Sequence, residues 1–197
     1  MGNLRSVANA LSFLGVEFSI IADREEIPRM DKMILPGVGA FAAGMRNLAE
    51  FGFIPVLNEE VVGKQKPILG ICLGMQLFAE VGFEGGEYTG LGWIKGEIKK
   101  LDPKDPALKI PHMGWNHGIV KKPSRLLQGI APQADFYFVQ SYYMACEPEV
   151  VSSTCEYGIE FPASIEWGNI FGTQFHPEKS QDAGLTLLKN FAGLEPN

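Results

Sequence analysis

The sequence predicts an α/β fold, in which a mixed, mostly parallel central sheet is flanked by helices and carries an antiparallel, strand-rich insertion. In the first half, short apolar segments typical of buried strands alternate with segments of helical periodicity, a pattern characteristic of parallel sheets covered by helices. In the second half, strand-like segments follow one another with little helix between them. The 197 residues fit one domain, 1–197, because no repeat, low-complexity segment or linker divides them.

The elements of the first half are predicted from periodicity and from the positions of glycine and proline. A first helix is expected over NLRSVANALSFLG and ends at Gly15. KMILPG is a short buried strand that ends in a glycine-rich loop, 36–39. The other predicted elements are, in chain order, a strand over VEFSIIA, helices around 40–51 and 54–65, a buried strand over PILGIC and a helix over GMQLFAEV.

The second half is predicted to be mainly antiparallel. Gly168-Asn169 is a two-residue turn that joins PASIEW and IFGTQF in a hairpin. A closing helix over SQDAGLTLLKNFAGL has Ser180 as its N-cap. The inward-facing residues of this helix are expected to be Leu185, Leu188 and Phe191. Further strands are expected over GLGWIKGEIKKL, DFYFVQSYYMA and VVSSTCEY.

Composition excludes several classes of function. The net charge is −6 and no basic run is present, so neither nucleic acid nor an anionic membrane is expected as a main partner. The most apolar region, 33–45, is interrupted by proline and glycine, and a bilayer span needs about 20 apolar residues. The first residues lack the pattern of a signal peptide. The three cysteines show no metal-site or disulfide spacing, which predicts a reducing, cytoplasmic location.

Cys72 is the strongest candidate for a catalytic residue. It stands in GICLG, at the junction of a predicted buried strand and a predicted helix. Gly70 and Gly74 leave room for a sharp strand-to-helix turn, which pushes the central side chain out above the sheet. The start of the helix favours a negatively charged sulfur. A lone cysteine is more often an inert buried side chain, but the two glycines and the junction favour a nucleophile.

A cysteine nucleophile needs a base and a group that orients the base. His176 follows IFGTQF, and Pro177 is expected to keep the chain extended, so that His176 and Glu178 point to the same side. Glu178 would then hold the imidazole in the required tautomer. The alternatives are a surface histidine before a turn and an acidic residue near a helix N-terminus. An elbow cysteine together with a late His-x-Glu is much more specific than either alone.

The negative oxygen that forms during attack on an amide needs hydrogen-bond donors. The Leu73 N–H, directly after the nucleophile, is one candidate. The loop 36–39 ends an earlier strand and should lie at the same carboxyl edge of the sheet as Cys72, where it would supply a second N–H. A plain strand-ending turn is the alternative for this loop. The two other histidines, His112 and His117, flank MGWN in a stretch predicted to be a loop.

GICLGMQ together with FHPEKS resembles the class I glutamine amidotransferases. LPGVGAF and PHMGWN narrow the resemblance to the glutaminase subunits of imidazole glycerol phosphate synthase, in histidine biosynthesis, and it extends from Gly2 to about Phe191. It implies that Cys72 attacks the side-chain amide of glutamine, that His176 transfers protons and that Glu178 orients His176. A thioester forms, ammonia leaves and water releases glutamate, with no metal or organic cofactor.

The resemblance also implies further site residues and a partner. The partner is a (β/α)8-barrel cyclase subunit, which receives ammonia through a dry channel that keeps it unprotonated. The implied residues are Gly37, Val38 and Leu73 for the oxyanion hole, Gln76, Glu84, Ser141 and Tyr142 for glutamine, and Tyr137, Pro111, His112, Trp115, Asn116 and Lys179 for the partner interface. From the residues alone, Trp115 would be assigned to core packing and Lys179 to a solvated surface charge.

The chain departs from the family pattern in two places. Family members usually begin with a short apolar strand, whereas Met1 here directly precedes Gly2, so either the start lies upstream or the sheet lacks a strand. The hypothesis is a mis-assigned or shortened start, because an absent strand leaves backbone groups of its neighbours unpaired, which is costly if they are buried. Gln140 stands where the family commonly has histidine. This second departure keeps open a paralogous glutaminase that supplies ammonia for amidino groups on surface sugars. A cysteine peptidase of the elbow type and a non-catalytic amidotransferase-like scaffold are the alternatives from other classes.

Overall fold

The computed structural model describes residues 2–195. Met1, on which the hypothesis of a shortened start depends, lies outside the described residues. The strands are β1 (Met33–Gly37), β2 (Ile68–Cys72), β3 (Ala79–Gly82), β4 (Tyr88–Thr89), β5 (Ile94–Lys100), β6 (His112–Val120), β7 (Gln133–Gln140), β8 (Tyr142–Cys146), β9 (Val151–Glu156), β10 (Glu160–Trp167) and β11 (Ile170–Thr173).

The helices lie mainly in the first half and at the end of the chain. They are α1 (Gly2–Phe13), α2 (Phe41–Glu50), α3 (Phe53–Leu57), α4 (Leu73–Gln76) and α5 (Gln181–Ala192). A π-helical turn over Asn58–Gly63 extends α3, and short 3₁₀ turns cover Arg24–Arg29, Pro148–Val150 and Pro177–Lys179. Among residues 2–195, no helix has the length and apolar character needed to cross a membrane.

A seven-stranded mixed sheet forms the centre of the molecule, with the strand order β1-β2-β11-β10-β9-β6-β7. Strands β1, β2 and β11 run parallel, and the remaining neighbours pair antiparallel. A second, four-stranded sheet has the order β4-β3-β5-β8. The predicted mixed sheet with flanking helices and a strand-rich antiparallel part is therefore confirmed, and so is the hairpin at Gly168, where Trp167 pairs with Ile170.

Two apolar cores, one mainly against each face, bury the central sheet. One contains α1 and α5, whose Leu11 and Leu188 pack with Leu69 of β2. The other contains Phe41 of α2, which packs with Ile68 of β2. Every residue of β2 is buried, because both faces of this strand are covered. Its sequence is therefore apolar throughout and does not alternate between apolar and polar residues. The end of β2 is consequently held rigidly from both sides.

The outer edge of β1 borders an apolar groove. Within residues 2–195 no strand pairs with this edge, and the segment 16–22, predicted to be a strand, is irregular. That prediction was wrong because a strand is stabilised by ladder hydrogen bonds to a neighbour, and the groove separates this segment from β1. The groove has a volume of about 1050 Å³ and is lined by Val16 and Phe18 on one side and by Met33 and Leu35 on the other.

Two further predictions about elements were wrong. The helix predicted over GMQLFAEV ends at Gln76, and Ala79–Gly82 forms β3, because pairing with β4 and β5 overrides the helical periodicity. The stretch around PHMGWN is not a loop but the long strand β6, which pairs with β7 along its length. This pairing places alternate β6 residues on the surface.

Candidate active site

Cys72 lies at a sharp turn between β2 and α4. Its backbone has φ 55° and ψ −110°, a conformation that residues other than glycine rarely adopt. A Cβ atom at Gly70 would lie 2.5 Å from the Met75 nitrogen, and one at Gly74 would overlap the carbonyl oxygen of Leu35. Both neighbours must therefore be glycine for the turn to close. This is the geometry of a nucleophile elbow. Since α4 has only four residues, it stabilises a negative sulfur less than a long helix would.

His176 and Glu178 form a buried pair behind Cys72. The Nδ1–H of His176 donates to Oε1 of Glu178 at 2.8 Å, and both side chains are shielded from solvent. The segment is not extended as the sequence predicted, because Pro177 begins a 3₁₀ turn over Pro177–Lys179. Proline is favoured at the first position of a helical turn. The turn still brings the carboxylate under the imidazole.

The imidazole of His176 is charged at neutral pH. Burial lowers its pKa, but the nearby sulfur of Cys72 and the carboxylate of Glu178 raise it, with a net pKa of about 9. Because Nδ1 is bonded to Glu178, Nε2 is the ring nitrogen left for proton transfer at Cys72, and it has no hydrogen-bond partner among the described residues. A protonated imidazole beside the sulfur stabilises a thiolate and carries a proton for a leaving group.

The loop that follows β1 lies beside the nucleophile. Gly37 pairs with Cys72 in the parallel register, so the two strands end at the same edge of the sheet. The approach is close, because a Cβ at Gly37 would lie 3.0 Å from Cβ of Leu73. Val38 is exposed and Gly39 has φ 106°, a conformation suited to glycine. Backbone N–H groups from this loop and from Leu73 remain the candidates for binding an oxyanion.

Three of the four predicted glutamine-binding residues lie around the elbow. Nε2 of Gln76 donates to the carbonyl oxygen of Tyr142 at 3.0 Å. Ser141 occupies the bend between β7 and β8, two residues after Val139, whose carbonyl oxygen is 4.0 Å from the Cys72 sulfur. The fourth, Glu84, lies after β3, and its Oε2 accepts from the Phe41 N–H at 2.8 Å. Glu84 therefore reaches the start of α2, just beyond the loop 36–39.

Sequence reasoning missed one residue of the site, Gln174. Its side chain is fully buried, its Oε1 accepts from Gln76, and its Nε2 donates to the Cys72 sulfur at 3.7 Å. A usable signal was present, because Gln174 stands two residues before His176 at the end of a strand. Residues two apart in an extended segment point to the same side.

An exposed aromatic face adjoins the site. The Trp115 ring meets Tyr137 edge-on at 6.0 Å, and Nζ of Lys179 lies 5.5 Å above the Tyr137 ring. Trp115 is 48% exposed, so the expectation of core packing was wrong. Lys179 is exposed, as expected for a surface charge, and its Nζ also lies over the Tyr137 ring. The Tyr137 carbonyl accepts from the His176 N–H at 2.9 Å, which ties this face directly to the catalytic candidate.

His112 is not part of that exposed face. Its ring is buried between Phe138 and Tyr157, with centroid distances of 5.0 and 4.0 Å. Burial lowers its pKa to about 4, so the ring is neutral, and Nδ2 of Asn116 donates to its Nε2 at 3.3 Å. This placement does not fit direct contact of the His112 ring with a partner, whereas Pro111, the residue before it, is exposed.

Gln140 is also buried, and it pairs with His112 across β6 and β7. Neither atom of its side-chain amide has a hydrogen-bond partner among the described residues.

Among residues 2–195, no group of three or more His, Cys, Asp or Glu side chains is placed to hold a metal ion.

Comparisons with known proteins agree on one family. Residues 2–193 match the family "Glutamine amidotransferase class-I". The chain is 53% identical over 193 residues to "Imidazole glycerol phosphate synthase subunit HisH 1" of Campylobacter jejuni, covering 98% of this chain and 96% of the relative. It is 50% identical over 196 residues to "Imidazole glycerol phosphate synthase subunit HisH" of Moorella thermoacetica, covering 98% and 91%.

Solved structures show the same fold at low sequence identity. A crystal structure of a glutamine amidotransferase superimposes with a TM-score of 0.74 at 19% identity, covering 96% of this chain and 94% of that one. The structure of PurLQS from Thermotoga maritima gives a TM-score of 0.70 at 18% identity, covering 95% and 90%.

Proposed function

The chain belongs to the class-I glutamine amidotransferase family, and we propose that it is the glutaminase subunit of an imidazole glycerol phosphate synthase. The observation that carries the proposal is the elbow Cys72 beside the buried His176–Glu178 pair. It occurs in a chain that is 53% identical, over 98% of its length, to a subunit of that enzyme. The reaction is hydrolysis of glutamine to glutamate and ammonia.

In the first half of the reaction, the Cys72 sulfur attacks the side-chain carbonyl carbon of glutamine. The oxygen becomes negative and is held by N–H groups of Leu73 and the loop that contains Gly37 and Val38. The charged His176 then gives its Nε2 proton to the amide nitrogen, the carbon–nitrogen bond breaks, and ammonia leaves. The product on the enzyme is a γ-glutamyl thioester. Glu178 stabilises the charged imidazole and keeps Nδ1 protonated throughout.

In the second half, the neutral His176 takes a proton from a water molecule, and the resulting hydroxide attacks the thioester carbon. The carbon–sulfur bond breaks, glutamate leaves, and the thiolate and the charged imidazole are restored. Gln76, Glu84, Ser141 and Tyr142 are proposed to hold the substrate, since three of them lie around the elbow and Glu84 reaches the start of α2, just beyond the loop 36–39. No metal or organic cofactor takes part in the proposed steps.

The ammonia is passed to a cyclase subunit, which the family resemblance gives a (β/α)8-barrel fold. Its docking surface on this chain is proposed to be the aromatic face of Trp115, Tyr137 and Lys179, together with Pro111 and Asn116. The hydrogen bond from His176 to the Tyr137 carbonyl supports this choice, because a partner on this face would act on the catalytic base directly. Such coupling would prevent glutamine hydrolysis when no acceptor is present.

The test is glutamate release from glutamine by the purified chain, alone and with the cyclase subunit from the same genome and that subunit's nucleotide ligand. We expect low activity alone and strong stimulation by the liganded partner. Cys72→Ala should abolish release in both conditions while leaving assembly with the partner intact. Release that persists in Cys72→Ala would contradict the proposed nucleophile. A complex that makes product from glutamine despite this substitution would favour a scaffold.

Gln140 supports a second candidate, a paralogous glutaminase whose ammonia serves amidino groups on surface sugars. The family commonly has histidine at this position, and here the amide is buried without a protein partner. The two candidates differ in the acceptor and not in the glutaminase chemistry. An active chain that the histidine-pathway cyclase does not stimulate would favour the sugar pathway. Stimulation by that cyclase would exclude it.

A further inference from the structure

We propose that Gln174 is a positioning residue, which presents a hydrogen-bond donor to the sulfur of the nucleophile Cys72. A chain of hydrogen bonds that begins at the Tyr142 carbonyl and passes through Gln76 orients this donor. The inference rests on the proposed role of Cys72 and adds the residue that orients and stabilises its charged form. The side chain of Gln174 is hydrogen-bonded to Gln76 and Cys72, and its role is therefore separate from that of the His176–Glu178 pair.

The contacts form one continuous chain. The carbonyl oxygen of Tyr142 accepts from Nε2 of Gln76 at 3.0 Å, and the same nitrogen donates to Oε1 of Gln174 at 2.9 Å. Nε2 of Gln174 then lies 3.7 Å from the sulfur of Cys72. Gln174 is fully buried and Gln76 is 5% exposed, so water does not compete for these groups. Hydrogen bonds in such a setting are electrostatically strong and polarise one another.

The Tyr142 carbonyl determines the direction of the chain. A backbone carbonyl can only accept, so the group of Gln76 that faces it must be the NH₂ and not the oxygen. The same NH₂ also donates to Gln174, so the group of Gln174 that faces it must be the side-chain oxygen. The remaining group of Gln174, its NH₂, is therefore forced toward the sulfur. Neither side-chain amide can flip by about 180° without placing two donors or two acceptors against each other.

This direction favours the thiolate over the thiol. The carbonyl oxygen of Val139, 4.0 Å from the sulfur, accepts from an S–H group, whereas the Gln174 N–H donates to the sulfur itself. Loss of the thiol proton removes the first contact and strengthens the second, because hydrogen bonds to ionised groups are stronger than those between neutral groups. The donor matters more here since α4, with four residues, supplies only a short helix behind the sulfur.

The test is the pH dependence of Cys72 alkylation by iodoacetamide, measured by mass spectrometry of the Cys72 peptide from the full-length chain. Gln174→Met keeps the side-chain length and removes the donor. We expect the midpoint of the alkylation curve to move up by about one pH unit. Burial raises the pKa of Cys146 and of Cys155 to about 12, so these thiols contribute little below pH 9.

Two further variants separate positioning from general loosening of the site. Gln76→Met does not alter any atom next to the sulfur, but it removes the anchor at Tyr142 and frees Gln174 to turn over. It should shift the midpoint in the same direction and by less. Gln140→Met removes a buried amide of the same size that lies outside the chain of hydrogen bonds, and it should leave the midpoint unchanged.

An unchanged midpoint in folded Gln174→Met, or an equal shift in Gln140→Met, would overturn the proposal. Circular dichroism establishes folding, and if Gln174→Met does not fold, an unchanged midpoint in Gln76→Met overturns the proposal instead. Glutamate release by the wild-type chain with its cyclase subunit is measured separately. Absence of glutamate release would refute the proposed function. The alkylation curves of Cys72 test only the role of Gln174.

Discussion

At Cys72 the backbone holds a conformation that costs of the order of 1–3 kcal/mol for a non-glycine residue. Such a conformation persists only where the surroundings determine it fully. Here Gly70 and Gly74 allow the close approach of α4 to β2 and β1, and the surrounding core leaves the turn no alternative. The strain places the sulfur beside His176 and Gln174 rather than inside the sheet.

The raised pKa of His176 predicts a pH dependence of stability. The folded state holds the proton more tightly than the unfolded chain, whose pKa is near 6.5, so this contribution to the free energy of unfolding is fully present below about pH 6.5. It is lost as the pH rises through about 9. Glu178→Gln removes one cause of the raised pKa and should reduce the fall in stability across this range.

Urea unfolding of the wild type and of Glu178→Gln at intervals from pH 6 to pH 10 measures this effect. His176→Asn is the reference, since it has no group that titrates at this position. Parallel stability curves for all three proteins would show that His176 does not hold its proton in the folded state.

At the scale of elements, the site depends on how strand ends and turns are joined. The hydroxyl of Ser180 does not cap α5 as expected from the sequence, although Ser180 is the N-cap residue. Instead it accepts from the Tyr137 N–H at 3.0 Å and donates to the His176 carbonyl at 2.6 Å. Strand β7, the turn that carries Glu178 and the start of α5 are thus connected through one side chain.

Gly74→Ala is expected to disrupt the elbow. Its Cβ would overlap the carbonyl oxygen of Leu35, which is backbone and cannot rotate away. We expect a loss of about 1–3 kcal/mol or more in the free energy of unfolding, as for other overpacked sites, and a slower alkylation of Cys72. Gly63→Ala is the matched control, because the nearest atom to its Cβ is 4.0 Å away, and its effect should stay within about 0.5 kcal/mol. Equal effects of the two substitutions on unfolding would contradict this account.

At the scale of the whole molecule, the aromatic face and the elbow occupy the same end of the central sheet. Trp115 and Tyr137 stand on neighbouring strands, and Tyr137 is bonded through its backbone to His176. The opposite end carries a second exposed tryptophan, Trp167, beside the β10–β11 turn, where Ile170 pairs with the first residue of β2. The two ends therefore offer similar side chains at different distances from Cys72.

Trp115→Ala is expected to weaken binding of the cyclase subunit by about 2 kcal/mol, close to 30-fold, as for a central aromatic residue of an interface. Stimulation of glutamate release should then need correspondingly more partner. Trp167→Ala is the matched control and should leave both quantities unchanged. Calorimetric titration with the cyclase subunit measures the affinity. A stronger effect of Trp167→Ala than of Trp115→Ala would place the interface at the other end of the sheet.

Much of the fold could be predicted because its signals are local. Helical periodicity identified α1 and α5, and the Gly168-Asn169 turn identified the last hairpin. The segment 16–22 and the length of α4 could not be predicted in this way. Whether an apolar segment becomes a strand depends on a neighbour that is distant in the sequence, and local propensity does not contain that information.

The reactive residues and their spacing could be identified without a structure, because Gly-x-Cys-x-Gly and His-x-Glu are local patterns whose chemistry follows from residue type. The sequence also carried the resemblance to the family that the comparisons show. The exposure of Trp115, the burial of His112 and the contact of Gln174 with the Cys72 sulfur became evident from the folded chain alone. These features depend on which strands lie side by side, and that arrangement is established only when the whole chain packs around one sheet.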